Sequence, residues 1–437
     1  MTPPLRLFHH PEWALLFAII VVVALTTLVD EQHTYWRDFL RLTEAQPPLS
    51  WIDVLRQTAF LGIFALGAAV VIISGGIDLS SGSVIAFSGT ICASIMVLLA
   101  PAEMVRGLPV GQMVIGTAII GTLLVGVLIG SLHAWLVTSV GLPPFVATLA
   151  TLVGLRSFGR ALAESVTAPV YRQQKYQIEI LDSQFRYLAT SVWIPVVVFL
   201  VMAAALWVLM SRTVVGRHLQ ALGGNEQAAR LSGIPTDLLK WLAYCISAVM
   251  ASIAGILYVA DQAVAAPQTL GLGYELNAIA AAVVGGCSLQ GGVGTIPGTV
   301  LGALFLRTVI DAVARIIKVG ANVYEGLIVG VVVVVAVALT HARGARLRGR
   351  SLFAGSLGWV TMLNLTLLAA ALAWLMGPKL VDSVLRSIFS LFKEPGEAAS
   401  LATELTPDSF IMALGTAALV LVLLLGSRLW KTSGARG

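Results

Sequence analysis

The amino-acid sequence predicts an all-α polytopic membrane protein. Charged residues make up 11% of the 437 residues and hydrophobic residues 58%, and the mean hydropathy is +0.91. Charged residues are about one quarter of an ordinary soluble domain. A chain this apolar needs lipid around it, and in lipid only helices and closed barrels satisfy every backbone polar group.

The chain holds about twelve apolar stretches that approach the length of about 20 residues that a spanning helix needs. They are 13–29, 57–74, 83–100, 111–139, 143–163, 190–210, 240–260, 275–287, 296–314, 322–340, 357–376 and 409–426. The first is followed by Asp30 and Glu31 without an Ala-x-Ala site, which favours a signal anchor over a cleaved signal peptide. The stretch 275–287 is too short to span alone, and we expect a short or re-entrant helix there.

The distribution of basic residues predicts the orientation. Lys and Arg are concentrated in 211–240, 341–350 and 427–437, and such loops belong in the cytoplasm. The loops 30–56, 164–189 and 377–408 have mixed or acidic charge and are predicted to lie outside. Starting from a cytoplasmic N-terminus, alternating spans place each of these loops on its expected side, so both termini are predicted to be cytoplasmic.

The basic loop divides the chain into two predicted parts. A core of about ten helices occupies 1–340, and an appendage with two further transmembrane helices occupies 341–437. In the outer loop of the appendage, apolar residues recur with helical period over 379–394. Two interpretations stay open for this stripe: a helix on the outer membrane surface, or a helix packed against the rest of the protein.

A polar break interrupts the second apolar stretch. Ser74–Ser83 contains three glycines, four serines and one carboxylate, Asp78, between two hydrophobic runs. Unwound backbone is tolerated at membrane depth only where protein or a water-filled cavity satisfies it, and transporters hold polar solutes at such breaks. Asp78 either contacts the solute or gate, or it caps the next helix. The candidate pathway residues here are Gly75, Gly76, Asp78, Ser80 and Ser83.

A second glycine-rich break occurs at 285–294, where the pattern Gly-Gly-x-(Asp/Ser)-Leu-x-x-Gly of the first break returns. The repetition suggests two structurally related halves, although two short glycine-rich runs also match by chance. The apolar run before this break is short and begins near Glu275 and Asn277, both candidate pathway residues. Glu275 is either a first-turn helix acid or a solute ligand.

The predicted cytoplasmic loop at 216–235 contains a compact helix. Asn225 is a good N-cap, Glu226 places an acid in the first turn and Arg230 a base in the last, and Gly233 and Pro235 end the helix. The residue pattern alone does not distinguish a docking element from an ordinary loop helix.

Four motifs in order resemble the ribose/xylose-type sugar permeases of ABC importers. They are Gly-Gly-Ile-Asp-Leu-Ser at 75–80, Gly-Leu-Pro-Pro-Phe-Val-Ala-Thr-Leu at 141–149, Gly-Arg-x-x-x-Ala-x-Gly-Gly-Asn-Glu-x-Ala-Ala-Arg-Leu-Ser-Gly-Ile at 216–234, and Gly-Tyr-Glu-Leu-Asn-Ala-Ile-Ala-Ala-x-Val-x-Gly-Gly at 273–286. The appendage departs from the family, which usually ends soon after its tenth helix. Cys287 also departs from it, because the family more often has Thr or Ser there.

The resemblance implies a ten-helix permease that dimerises around a central pathway in the bacterial cytoplasmic membrane. It implies three partners: a second permease copy, identical or not, a periplasmic or lipid-anchored sugar-binding protein, and a separate ATPase that uses ATP and Mg. The loop at 216–234 would couple to that ATPase. The coupling residues would be Gly216, Arg217, Gly223, Gly224, Asn225, Glu226, Ala229 and Arg230.

Phe145 joins the candidate pathway residues, because an aromatic face can stack on a sugar ring; side-chain packing is the alternative. The solute is expected to be a pentose, hexose or similar polyol. An ion-coupled carrier or channel is the alternative function, although such carriers normally need ionisable relays within the membrane.

Other function classes lack their motifs. There is no P-loop lysine motif, no GxSxG and no HExxH, so we expect neither bound ATP nor a catalytic site in this chain. Cys92, Cys245 and Cys287 are far apart in the sequence and have no metal-ligand spacing. No basic stripe with interleaved aromatics suggests nucleic acid.

Overall fold

Residues 11–29 and 51–317 are described without a break by the computed structural model, together with isolated helical residues between 325 and 416. Its helices are α1 (Pro11–Val29), α2 (Trp51–Ile73), α3 (Ser81–Leu99), α4 (Pro101–Arg106), α5 (Gln112–Thr138), α6 (Pro144–Tyr171), α7 (Ser183–Thr190), α8 (Trp193–Arg212), α9 (Val214–Gly224), α10 (Glu226–Leu231), α11 (Thr236–Gln262), α12 (Tyr274–Val284) and α13 (Ile296–Ile317). Two short strands, β1 (Ile178–Glu179) and β2 (Val264–Ala265), complete the described elements.

The predicted fold class is confirmed. Seven of the described helices, α2, α3, α5, α6, α8, α11 and α13, are long and apolar enough to cross a membrane. α6 runs to Tyr171, well past the predicted end at 163, because its last two turns are less apolar but still helical. The predicted spans 322–340, 357–376 and 409–426 and the stripe at 379–394 lie outside the described residues, apart from isolated positions.

The centre of the bundle is formed by α2, α3 and α11, whose apolar windows are 89%, 78% and 78% buried. Small residues allow these helices to approach closely: a side chain on Gly67 of α2 would meet the Ser247 Cα of α11 at 2.8 Å. The spans α5, α6 and α8 are peripheral, since only 33%, 28% and 28% of their windows are buried.

One end of the bundle is closed by the strand pair and α7. β1 and β2 are antiparallel, with Ile178 opposite Ala265. Asp182 caps α7 by accepting from the Phe185 N–H at 2.7 Å, and its other oxygen accepts from the Val110 N–H, also at 2.7 Å. These contacts join the loops after α4, α6 and α11, which the charge pattern places outside.

The helix α12 is a half-helix, as its short apolar run predicts. Its 11 residues extend only about 16 Å, half of a hydrocarbon core of about 30 Å. It is preceded by a non-helical segment from 266 to 273, and Tyr274 at its start stacks on Phe64 of α2 at 5.8 Å between ring centroids. α12 therefore begins beside the middle of α2.

The chain divides into two compact units. One comprises residues 1–19 and 51–307, and the other comprises 20–50 and 308–437. All the candidate site residues lie in the first unit. The predicted boundary between core and appendage at residue 340 lies outside the described residues and stays a prediction.

Candidate functional site

Three glycine-rich segments that are far apart in the sequence meet at one point. They are the turn after α2, the end of α9, and the loop from 285 to 294 between α12 and α13. The Gly292 N–H donates to the Ile73 carbonyl at 2.9 Å. A side chain on Gly291 would meet the Gly223 carbonyl at 2.6 Å and the Gly75 Cα at 2.8 Å. We call this backbone contact, made by Gly75, Gly223, Gly291 and Gly292, the glycine junction.

Gly223 lies at the centre of the junction. A Cβ on Gly223 would overlap the Ile73 carbonyl oxygen and would lie 2.6 Å from the Gly292 nitrogen. These neighbours are backbone atoms, which cannot rotate away as a side chain can. Gly75 and Gly291 have a φ of 84°, a region that favours glycine. A displacement of the end of α9 would therefore press directly on the two breaks.

The two helices before and after Asn225 are both capped by side chains. The Thr213 hydroxyl accepts from the Gly216 N–H at 3.2 Å, and Asn225 Oδ1 accepts from the Ala228 N–H at 3.0 Å. The N-cap predicted at Asn225 is therefore present. The stretch before it is also helical, as α9, because Leu219 and Leu222 bury one face of it.

Ion pairs fix α10 to the first turns of α11. The Lys240 ammonium lies 2.6 Å from Glu226, and the Arg230 guanidinium lies 3.0 Å from Asp237. Ala229 is buried on the inner side of α10, whereas Leu231 at its end is 91% exposed. Arg217 of α9 is also exposed.

A cavity of about 500 Å³ lies beside the glycine junction. The motifs at 75–80, 141–149 and 216–234 contribute to its wall, together with Gln290 of the second break. Its lining residues are Ser74, Gly75, Gly76, Val137, Gly141, Leu142, Pro143, Pro144, Leu222, Gly223, Gly224, Asn225, Glu226, Lys240, Tyr244 and Gln290. The fold thus brings four of the eight predicted coupling residues and the first two predicted pathway residues to one site.

Asp78 is buried in the first break and is saturated with hydrogen bonds. Its Oδ1 accepts from the Ser80 N–H at 2.8 Å and from the Ser80 hydroxyl at 2.5 Å, and its Oδ2 accepts from the Ser247 hydroxyl of α11 at 2.7 Å. Asp78 therefore stabilises the start of α3 and links it to α11. The N-cap of α3 is Ser80, and no side chain caps its first turn, so the bonds of Asp78 indicate a structural role rather than a helix cap. Direct solute contact stays a prediction.

The break is also bonded to α6. The Leu79 N–H donates to Thr148 Oγ1 at 3.1 Å, and the Ser83 hydroxyl donates to the Ser80 carbonyl at 2.8 Å. Ser80 and Ser83 are fully buried. These bonds come from within the protein, as membrane depth requires, whereas the buried Ser81 hydroxyl has no hydrogen-bond partner among the described residues.

Two aromatic residues near Asp78 had no signal in the sequence. His133 of α5 is fully buried, with Nε2 2.7 Å from Thr151 Oγ1 of α6. Tyr244 of α11 lines the cavity, and a side chain on Gly76 would lie 2.9 Å from its hydroxyl. Each occurs singly in an apolar run, so only the packing of α5 and α11 reveals that they are neighbours, with ring centroids 6.1 Å apart.

The predicted pathway residues of α12 lie at a second place, near the start of α3. Glu275 is in the first turn of α12, as one of its two interpretations requires, and its Oε2 lies against Gly82. Asn277 is buried. Solute contact by either residue stays a prediction.

Arg156 of α6 holds the non-helical segment before α12. Its guanidinium donates to the carbonyls of Pro267, Leu270 and Gly271 at 3.2, 2.8 and 2.9 Å. None of the four sequence motifs includes Arg156. Arg156 thus donates hydrogen bonds to three backbone carbonyls of a segment that is not helical.

Phe145 directly follows Pro144 of the cavity wall, and Cys287 lies in the loop that contributes Gly291 and Gly292 to the glycine junction. Phe145 at the start of α6 is 50% exposed, so it is not a core packing residue of the described chain. Burial raises the pKa of the Cys287 thiol, which lies in the loop between α12 and α13. Within the described residues, no group of three or more His, Cys, Asp or Glu could hold a metal ion.

Comparison with known proteins places this arrangement among permeases. The family described as "Branched-chain amino acid transport system / permease component" matches residues 50–337, more than half of the chain. The ribose import permease protein RbsC of Escherichia coli (strain K12) is 36% identical over 286 residues, which cover 64% of this chain and 82% of that protein. The galactose/methyl galactoside import permease protein MglC of the same strain is 30% identical over 337 residues, covering 75% and 94%.

Among solved structures, PsaBC from Streptococcus pneumoniae in complex with Fab aligns with 64% of this chain and 90% of its own, with a TM-score of 0.35 and 13% identity. That similarity is too low to bear on the fold.

Proposed function

The chain belongs to the family of branched-chain amino acid transport system permease components, a family of transport subunits and not of enzymes, and on this premise we propose that it forms the membrane path of an ATP-driven importer for a monosaccharide. The seven apolar helices agree with a multi-pass membrane protein. ATP and Mg would be bound by a separate ATPase chain.

The glycine junction is the observation that carries the proposal. Gly223 ends the helix before Asn225 and touches both broken segments of the bundle through backbone atoms. A force applied to α9 and α10 would reach the break after α2 and the loop after α12 with little loss, because side-chain rotation cannot absorb it. Such a contact suits a permease whose pathway is opened by another subunit.

We propose that α9 and α10 dock on the ATPase. The exposed Leu231 and the exposed residues Arg217, Gln227 and Ala228 form the surface offered to it. The caps at Thr213 and Asn225 and the two ion pairs with α11 keep this surface in a fixed position. A docking element must be rigid if it is to transmit movement rather than bend.

The proposed solute is a small uncharged molecule with several hydroxyl groups. Relatives that cover most of their own length here are named as permeases for ribose, galactose or methyl galactoside, and fructose. The broken segments offer serine and threonine hydroxyls and backbone groups, which are suited to hydroxyl ligands. A second copy of the chain, or a related permease, would complete the pathway, and a sugar-binding protein would deliver the solute from outside.

Co-purification tests the proposal most directly. We expect the tagged chain, extracted from its native membrane, to carry with it an ATPase chain and a soluble-type sugar-binding protein, both identified by mass spectrometry. In reconstituted vesicles, ATP hydrolysis should rise when the binding protein is loaded with one of ribose, galactose or fructose. Recovery of the chain alone, with uptake that follows an ion gradient, would overturn the proposal in favour of a secondary carrier.

A further inference from the structure

The three peripheral spans expose different kinds of side chain. Between Gln112 and Thr138, α5 has no Asp, Glu, Lys or Arg, and α8 has a single charged residue at its last position, Arg212. Large apolar side chains, among them Leu124 and Leu128 of α5, cover their outer faces. The outer faces of α5 and α8 are therefore suited to contact with lipid tails. α6 is equally peripheral but carries Arg156, Arg160 and Glu164.

Two of these charges are on the exposed side of α6. Arg160 Nε lies 2.8 Å from Glu164 Oε1, and the two side chains are 55% and 33% exposed. Arg156, one turn earlier, faces inward and is occupied by the three carbonyls described above. The Arg160–Glu164 pair therefore has no role in the packing that holds the non-helical segment.

The pair lies near the middle of the membrane. Arg160 follows Pro144 by 16 residues of a 28-residue helix, which places it about 24 Å from one end of a helix about 42 Å long. The neighbouring contacts agree: Phe158 stacks on Phe87 at 5.3 Å, and Phe87 belongs to the middle third of α3. A hydrocarbon core of about 30 Å would contain the pair.

Charged side chains at this depth are costly in contact with lipid tails, and they normally face a protein interior or a water-filled cavity. The exposed side of α6 around the pair holds polar residues beside the apolar Val153 and Phe158, which are 61% and 60% exposed. Ser157 precedes Arg160 by about one turn, and Ser165 follows Glu164; both are exposed. This polar patch, Ser157, Arg160, Glu164 and Ser165, extends about 12 Å along the outer half of α6.

We propose that the polar patch lines the aqueous pathway and binds the hydroxyl groups of the passing solute, an inference that rests on the proposed function. The guanidinium supplies donors, the carboxylate supplies acceptors, and a sugar hydroxyl both donates and accepts. Opposite charges at 2.8 Å leave the patch without net charge, which suits an uncharged polyhydroxylated solute and not an ion.

Cysteine accessibility tests where the patch faces. We expect Ser157→Cys and Arg160→Cys to react with a charged, membrane-impermeant methanethiosulfonate at least tenfold faster than Leu128→Cys, a position that is 67% exposed on α5. The unsubstituted chain gives the background, because its three cysteines are all buried. Equal labelling rates of all three variants would overturn the proposal. They would mean that the patch is covered by lipid or by a partner copy and does not face water.

Transport kinetics tests solute binding separately. We expect Arg160→Ala to raise the KM for the sugar that stimulates ATP hydrolysis by about tenfold, the usual order for one charge-assisted hydrogen bond. Arg160→Lys should recover part of the loss, and Leu128→Ala should leave KM unchanged. An unchanged KM in Arg160→Ala would overturn the binding role. The labelling experiment does not require an ATPase. If the variants are labelled as expected but no ATPase associates with the chain, the result contradicts the proposed function and not the position of the patch.

Discussion

At the scale of single residues, Gly223 and Gly224 form a natural pair for testing the glycine junction. We expect Gly223→Ala to reduce sugar-driven ATP hydrolysis and uptake at least tenfold, because its Cβ would overlap the Ile73 carbonyl and crowd the Gly292 nitrogen. Gly224→Ala should be nearly neutral, since nothing lies within 4 Å of its added Cβ. The measurements are membrane abundance, uptake and ATPase activity of both variants.

The outcome separates folding from coupling. If Gly223→Ala accumulates normally but no longer couples hydrolysis to uptake, the junction transmits movement. Equal activity of the two variants would contradict the role given to the junction.

Asp78 is a second residue whose two interpretations can be separated. Asp78→Asn replaces one carboxylate oxygen with an NH2 group, so at least one of the three hydrogen bonds that Asp78 accepts at 2.5 to 2.8 Å is lost and its donor must reorient. The expected cost is about 1–3 kcal/mol, seen as a lower apparent melting temperature in detergent. Ser247→Ala, which removes only the bond to α11, should lower it less.

A solute-binding Asp78 predicts the opposite combination. Uptake would then be lost in Asp78→Asn while the melting temperature stays that of the unsubstituted chain. The burial of Asp78 at 3% exposure supports the structural role.

At the scale of elements, the pair α9 and α10 is predicted to act as the coupling element. Replacing both Glu226 and Arg230 with Ala removes the ion pairs to Lys240 and Asp237, so α10 loses two of its attachments to α11. We expect this double variant to insert normally in the membrane but to lose sugar-stimulated ATP hydrolysis. Normal stimulation would refute the assignment.

Leu231→Ser makes the same test without disturbing those attachments. Leu231 is 91% exposed, so its loss should not change the fold but should weaken co-purification of the ATPase by about fivefold or more. Leu98→Ser is the matched control: Leu98 is 61% exposed near the opposite end of α3 from the break. Equal ATPase recovery from both variants would move the docking surface elsewhere.

At the scale of the whole molecule, the charge pattern predicts one orientation in the membrane. A protease site inserted at 172–177, between α6 and β1, should be cut by external protease in spheroplasts, because that loop is predicted to lie outside. A site inserted after Leu231, beside Arg230 and Arg217, should be cut only in inside-out vesicles, as should tags at either terminus. Cutting of the N-terminal tag in spheroplasts would contradict the predicted orientation.

The fold class, the described spans, the half-helix and the cap at Asn225 were predictable from the amino-acid sequence alone. These features depend on local properties: the length of apolar runs, the presence of glycine and the identity of the residue before a helix. Motif order also identified the family. None of this requires knowing which segments are neighbours.

Which breaks meet, and what their polar residues contact, depends on how the helices pack and could not be read from local sequence patterns. Gly223 touches Gly75 and Gly291 because α2, α9 and the loop after α12 end at the same place, although they are far apart in the chain. Asp78 is paired with Ser247, and Arg156 with the carbonyls before α12, through helix packing that no local pattern encodes. Arg160 and Glu164 have the spacing of an ordinary helical ion pair, and only the packing of α6 shows that they are exposed near mid-membrane.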